Sequence, residues 1–293
     1  MKRAIILPQC WYKEASVFIA RLNILRPRYF LIPLSESGAE AKSNLPFLEE
    51  MMAANRATSA MFVIPKSFAS GDKIDSWPDL IQHHSAGKWV CSVFFADRWA
   101  EVAEALEDFL NEVNTKIETH LTCQYQPVYA EMLKLWEQKG GKAYHPGDFF
   151  KEDILPAISQ MKGDWVYWGH GEGDRLRGYG QLHVVDLLSN KCETPLNATL
   201  WFTCSTLDRD YPENIALAWY QSGATKCLLA SPDKVNTEAN QLLSQHWLGM
   251  AKENGGRTVA SLILDILQHD SENLESVLNH YYLLGIPWVG GNI

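Results

Sequence analysis

The sequence predicts an α/β fold: a mostly parallel sheet covered by helices. Two observations carry this. Short apolar runs rich in β-branched and aromatic residues alternate with longer segments of helical periodicity along the whole chain. No repeat of fixed period and no low-complexity tract interrupts that alternation. With 293 residues, 46% of them hydrophobic and 21% charged, the chain has ordinary globular composition and suffices for one large domain or two modest ones.

In the first part the strand candidates are residues 3–9 (RAIILPQ), 28–34 (RYFLIPL), 60–65 (AMFVIP) and 89–96 (WVCSVFFA). The segments between them read as helices, Tyr12–Leu25 among them. The clearest helix follows Asp97, where Trp99, Val102, Ala103, Leu106, Phe109, Leu110 and Val113 recur at helical spacing with acids on the other face. That stripe is the packing face of a helix on a sheet, and the acids form its solvated side.

A second unit begins near Thr115, which divides the chain into an N-terminal α/β subdomain (1–115) and a second domain (116–293). IETHLTCQY is a strand, and a helix from Pro127 to Gln138 comes after it, with proline in its first turn and Gly140-Gly141 at its end. KAYHP is a short strand, 148–161 a helix, DWVYW (164–168) a strand, and ATLWFTC (198–204) another buried strand. Residues 212–221 read as a helix closed by Gly223, and 225–231 (TKCLLAS) as a strand. Two amphipathic helices come next, one presenting Leu242, Leu243, Trp247 and Met250, the other Val259, Leu262, Ile263, Ile266 and Leu267.

Bulk properties exclude several functions. A net charge of −9 without a basic stripe argues against nucleic-acid binding. The opening MKRAIILPQC has too short an apolar run for a signal peptide, and nowhere is there a run of the roughly 20 residues a membrane span needs, so a cytoplasmic location is expected. None of Cys10, Cys91, Cys123, Cys192, Cys204 and Cys227 has CxxC spacing, so no structural zinc site is expected, and in a reducing cytosol an even count does not imply disulfides. His83-His84 is no metal pair, because adjacent helical residues point in different directions. GHGEGD lacks the third glycine of a dinucleotide loop, and neither a P-loop nor a GxSxG elbow occurs.

Two strands of the second unit end in reactive residues. DWVYW runs into Gly169-His170-Gly171, and ATLWFT runs into Cys204. Functional groups collect at the carboxyl ends of parallel strands, so neighbouring strands would present this imidazole and thiol together. Such a pair can divide the work of amide cleavage: the thiolate attacks the carbonyl and the imidazolium protonates the departing amine. The flanking glycines allow close backbone approach, and the Gly171 N–H is a candidate oxyanion donor. A lone cysteine ending a buried strand is more often a small core residue, and a lone histidine a loop residue; it is their joint placement that favours chemistry. His183, in the expected hairpin strand, reads as structural, and Cys227, within an apolar strand, as inert.

The run WVYWGHGEG, the hairpin-like RLRGYGQLHVVDLL and then LWFTCST resemble the caspase-like superfamily of cysteine peptidases (clan CD). ENIALAWYQSGATKCLLAS resembles that group's helix, glycine turn and next strand, and YYLLGIPWVGG its closing segment, with Ile286 where an Asp is usual. The resemblance begins near residue 117 and runs to 293. The caspase signature QACxG is absent, and His170 and Cys204 lie 34 positions apart rather than the roughly 50 of caspases, which points to the gingipain-like or CHAT branch.

The resemblance implies a three-layer α/β/α domain with an N-terminal subdomain whose sheet extends the catalytic one. It also implies hydrolysis of a polypeptide substrate through a Cys204 thioester assisted by His170, with Gly171 and Cys204 N–H groups at the oxyanion and no cofactor. No acid orienting His170 is assigned, since Glu172 and Asp174 are expected to point away. A regulatory protein is a candidate partner. The rival reading is an inactive caspase-like fold that binds a partner peptide or protein. Asp233, in the Ser231-Pro232-Asp233 turn after the next strand, is the substrate-binding candidate for a basic side chain, although a capping acid in a turn explains it equally well.

Overall fold

The computed structural model describes residues 2–25, 28–34, 45–78, 89–111, 118–253, 257–269 and 274–290. The first part comprises β1 (Lys2–Pro8), α1 (Tyr12–Leu25), β2 (Tyr29–Leu34), α2 (Leu45–Asn55), β3 (Ala57–Ile64), β4 (Val90–Phe95) and α3 (Trp99–Asn111). Next come β5 (Thr119–Cys123), α4 (Pro127–Glu137), β6 (Lys142–Tyr144), α5 (Lys151–Ser159) and β7 (Asp164–Trp168). Three two-residue strands, β8 (Gly171–Glu172), β9 (Arg175–Leu176) and β10 (Leu182–His183), lead into α6 (Val184–Ser189). The rest is β11 (Ala198–Phe202), α7 (Ile215–Gln221), β12 (Cys227–Ala230), α8 (Thr237–Glu253), α9 (Val259–His269), α10 (Leu274–Leu278) and β13 (Tyr282–Gly285). The boundary expected near Thr115, Val113 of the helical stripe and the His83-His84 pair lie outside the described residues.

Among the described residues ten strands form one sheet, in the order β2-β1-β3-β4-β13-β12-β11-β7-β5-β6. Every neighbouring pair is parallel except β12–β13. Since β13 runs parallel to β4 and antiparallel to β12, β1–β4 and β13 point opposite to β5, β6, β7, β11 and β12. The sheet is continuous between them, joined where Leu284 of β13 pairs with Val93 of β4.

Period-two side-chain alternation divides the strands between two buried faces. Val166 and Trp168 of β7, with Leu200 and Phe202 of β11, pack under α4 and α8. Trp165 and Tyr167, with Trp201, pack under α5, α6 and α7. There the Trp165 ring meets Trp201 and Trp219 edge-on at centroid separations of 5.6 and 5.4 Å. At the other end of the sheet, α2 covers Ala4 and Ile6 of β1 and Phe62 of β3.

Two helix starts differ from expectation, each through a side-chain cap. The helix expected over 148–161 is α5, which starts at Lys151: Asp148 N–H closes a turn onto the His145 carbonyl (2.9 Å), and the Asp153 carboxylate accepts from Phe150 N–H (3.0 Å). The helix expected from Pro212 begins at Ile215, where Asn214 caps Leu217 N–H at 3.0 Å. His183 lies in β10, as expected of a hairpin strand, and its N–H donates to Asp186 (2.9 Å) at the start of α6.

Asp164, at the start of β7, is fully buried, and one carboxylate oxygen accepts from Ala198 N–H at 3.2 Å. Burial raises its pKa well above the ordinary carboxyl range, the Ala198 bond opposing this only in part. The unfolded chain therefore loses this proton at lower pH than the folded one. Stability contributed by the protonated group is fully present below the unfolded pKa and falls as pH rises above it, by at most about 1.4 kcal/mol per pH unit. Asp164→Asn, which cannot ionise, should gain thermal midpoint relative to the wild type between pH 4 and pH 7. Melting curves of both proteins across that range test this, and a constant difference would show that Asp164 does not titrate with folding.

Candidate active site

β7 and β11 pair in register along their whole length, from Asp164 opposite Ala198 to Trp168 opposite Phe202. His170 and Cys204 each lie two residues beyond the last rung, so the register sets them level at one carboxyl edge. Every residue of both strands is buried, whereas His170 and Cys204 are partly exposed. β12 flanks β11 on the other side and leads into the 231–236 loop that holds Asp233.

Backbone bonds pin the His170 loop. His170 N–H donates to the Gln124 side-chain oxygen at 2.8 Å, and Gln124 N–H donates to the Trp168 carbonyl at 2.8 Å, tying this loop to the end of β5. The His170 carbonyl accepts from Arg177 N–H (3.0 Å) and from the buried Tyr167 hydroxyl (3.3 Å). The imidazole packs edge-to-face against Tyr129 of α4, with centroids 5.9 Å apart. Glycine at 171 is required by close approach: a Cβ there would lie 2.6 Å from the Cys204 carbonyl oxygen and 2.7 Å from Thr203 Oγ1. The two loops are thus in direct contact.

Cys204 Sγ lies 3.2 Å from both the N–H and the carbonyl oxygen of Val235, accepting from one and donating to the other. Among the described residues no hydrogen bond joins it to the imidazole. The next residue, Ser205, has φ +47, a left-handed conformation costing a non-glycine residue about 1 kcal/mol. Its N–H donates to the Asp233 carbonyl at 2.9 Å, and Leu207 N–H donates to the Ser231 carbonyl at 3.0 Å. The segment after Cys204 is therefore laced to the loop after β12.

The Asp233 carboxylate meets Arg209 at 2.5 Å and His280 at 3.4 Å. Arg209 also pairs with Asp75 at 2.9 Å, which links the 71–76 turn of the first part to the loops beside Cys204. Glu172 is taken by Arg175 and Arg177, and Asp174 lies 3.5 Å from Arg175 and 3.6 Å from His183. These acids pair within the hairpin region, and among the described residues no carboxylate contacts the His170 ring. Of the other cysteines, Cys10 is exposed, and Cys91, Cys123, Cys192 and Cys227 are buried. Burial pushes the thiols of Cys123 and Cys192 up to about 12 and about 11, and that of Cys227 higher still. No group of three metal-ligating side chains occurs among the described residues.

Sequence reasoning missed Gln124, Tyr129, Val235 and Arg209. Gln124 had a signal, since it follows a strand that neighbours β7 and so belongs to the same carboxyl edge. The other three carry none, because α4, the 231–236 loop and the 208–212 loop converge only through tertiary packing.

No family model matches the chain, and no curated protein matches it in sequence. Solved structures do. In the complex of Porphyromonas gingivalis RgpB pro- and mature domains, a chain matches with a TM-score of 0.71 and 13% identity over 99% of this chain and 79% of that one. Two structures of the Saccharomyces cerevisiae separase–securin complex match with TM-scores of 0.53 and 0.54 and identities of 12% and 11%, over 84% and 80% of this chain. The chain spans only 17% and 16% of those separase chains. It has the caspase-like α/β fold, as RgpB and separase do.

Gly171→Ala should destabilise the fold by about 1–3 kcal/mol, the usual cost of forcing a side chain into packed space. Gly147→Ala, whose Cβ would meet nothing nearer than Tyr125 at 3.9 Å, should stay within about 0.5 kcal/mol of the wild type. Urea unfolding of the two variants measures the contrast, and equal stabilities would mean that the two loops are not pressed together.

Proposed function

We propose that this chain is a cysteine endopeptidase of the gingipain-like or CHAT branch that hydrolyses peptide bonds through Cys204 and His170. The observation that carries the reading is the in-register pairing of β7 with β11, which brings an imidazole and a thiol to the same carboxyl edge. The caspase-like fold supports it, since its neighbours RgpB and separase are cysteine peptidases of that fold.

In this reading His170 takes the Cys204 proton, and the thiolate adds to the scissile carbonyl carbon. The Gly171 and Cys204 N–H groups stabilise the resulting oxyanion. The C–N bond then breaks as His170 returns the proton to the departing amine, leaving a thioester on Cys204. Water, deprotonated by His170, releases the acid product and restores the thiol. For this cycle the sulfur must exchange the Val235 backbone for the imidazole. Gln124 and Tyr129 position His170, one through its backbone and the other through its ring. No cofactor enters.

The reading adds a polypeptide substrate, a regulatory protein partner and a cytoplasmic location. A partner protein fits the settings of the similar structures, where RgpB is held with its pro-domain and separase with securin. Among the described residues no helix is long and apolar enough to cross a membrane.

One observation favours the rival, a non-catalytic interaction module: Sγ is held by Val235 and has no hydrogen bond to the imidazole. A thiol-directed electrophile separates the two readings, provided exposed Cys10 is first replaced by serine. The peptidase reading expects rapid labelling of Cys204 that slows in His170→Ala. It also expects Cys204→Ala to lose turnover of a peptide library by at least about a thousandfold while keeping its thermal midpoint. Labelling no faster than that of free cysteine, with no hydrolysis in the wild type, would leave the binding module.

Asp233 is the proposed residue for a basic substrate side chain, but it can meet one only by giving up Arg209. Arg209→Ala should therefore raise turnover of Arg and Lys peptides relative to apolar ones by up to about tenfold, and Asp233→Asn should lower it by about the same factor. Ratios unmoved by both variants would take Asp233 out of the substrate site.

A further inference from the structure

A pocket lies at the amino ends of β1 and β3, with β4, β13 and β12 between it and the Cys204 strand. Its volume is about 360 Å³, and its walls include Arg3, Arg28, Arg257, Thr58, Ser261 and Asp265. Among its described lining residues are three guanidinium groups, those of Arg3, Arg28 and Arg257, and one carboxylate, that of Asp265.

Two of the three arginines are held in place. The Arg3 guanidinium lies 5.4 Å from the ring centroids of both Tyr29 and Trp288, and its Nη1 donates to the Tyr29 hydroxyl at 2.6 Å. Arg257 is braced by Asp265. The third, Arg28, is exposed and has no ion pair among the described residues, while its carbonyl accepts from Arg3 N–H at 2.6 Å. In the same wall Thr58 Oγ1 is buried without a hydrogen-bond partner. The nearby start of α9 contributes no free donor: Val259 and Ala260 N–H are taken by the carbonyls of Val289 and Pro287, and Ser261 N–H by Thr258 Oγ1. Any anion here is recognised by side chains.

We infer that this pocket binds a phosphate dianion, free or as the end group of a small organic phosphate. Guanidinium forks match the tetrahedral oxygens geometrically, two of them are already immobilised, and the third, Arg28, is exposed to meet the ligand. An unpartnered buried hydroxyl supplies a donor for a further oxygen. Three arginines in one recess are too few to track a nucleic-acid backbone. The site is independent of the peptidase reading.

The test is the thermal midpoint of the intact protein titrated with sodium phosphate, and separately with phenyl phosphate, each against sodium chloride of matched ionic strength at pH 7.5. A saturable rise of several degrees with phosphate but not chloride is expected. Arg28→Ala should weaken the apparent affinity by about tenfold, and Thr58→Val, isosteric but without the hydroxyl, should weaken it to a lesser degree. Tighter binding of phenyl phosphate assigns the site to an organic phosphate, and equal binding assigns it to the free ion. A midpoint that does not respond, or a response unchanged in Arg28→Ala, overturns the inference.

Discussion

The site and much of the fold hang on the five-rung parallel pairing of β7 with β11. Both strands are buried on both faces, with Trp165, Trp201 and Trp219 interlocked on one side and Trp168 stacked on Phe202 on the other. A slip of one residue would send every one of these rings to the opposite face, so packing of large aromatics enforces the register. The loops at the strand ends inherit it: His170 and Cys204 stand level because Trp168 and Phe202 do.

Beyond the strands, hydrogen bonds take over from packing. Gln124 and Tyr167 hold the His170 loop, and the carbonyls of Ser231 and Asp233 hold the segment after Cys204. The left-handed Ser205 survives because its N–H has a fixed acceptor, an interaction of about 1 kcal/mol that offsets a cost of similar size. The same loop offers Val235 to the sulfur. The thiol thus has a backbone partner already, and its availability to the imidazole depends on the position of the 231–236 loop, which Arg209 and His280 fasten through Asp233.

Reversal of strand direction at β13 has a consequence of its own. It joins the two parts in one sheet and lets the chain after β13 bring Trp288 against Ser59 and Arg3. Arg3, Arg28 and Arg257 come from distant parts of the chain and form no basic run in the sequence, yet they line one recess. A chain without a basic stripe thus gathers three arginines at one place through its fold.

Most strands of the large sheet, most helix limits and the positions of His170 and Cys204 at strand ends were legible in the sequence because they depend on local information, whereas β13 was read only as a closing segment. Period-two and helical patterns mark the elements, and glycines around a histidine at a strand's end mark a loop that must come close to something. The starts of α5 and α7 were misplaced because Asp153 and Asn214 cap them, and each cap competes with plausible neighbours. The sequence by itself determined the α/β class, the buried strands and which residues end them. Only the tertiary structure decided that β7 and β11 are neighbours in register, that Gln124 and Tyr129 hold His170, that Val235 holds the sulfur, and that Arg209 claims Asp233. The physical reason is range: hydrophobic periodicity is written within a few turns of chain, whereas these contacts join residues dozens of positions apart and exist only once the sheet has ordered its strands.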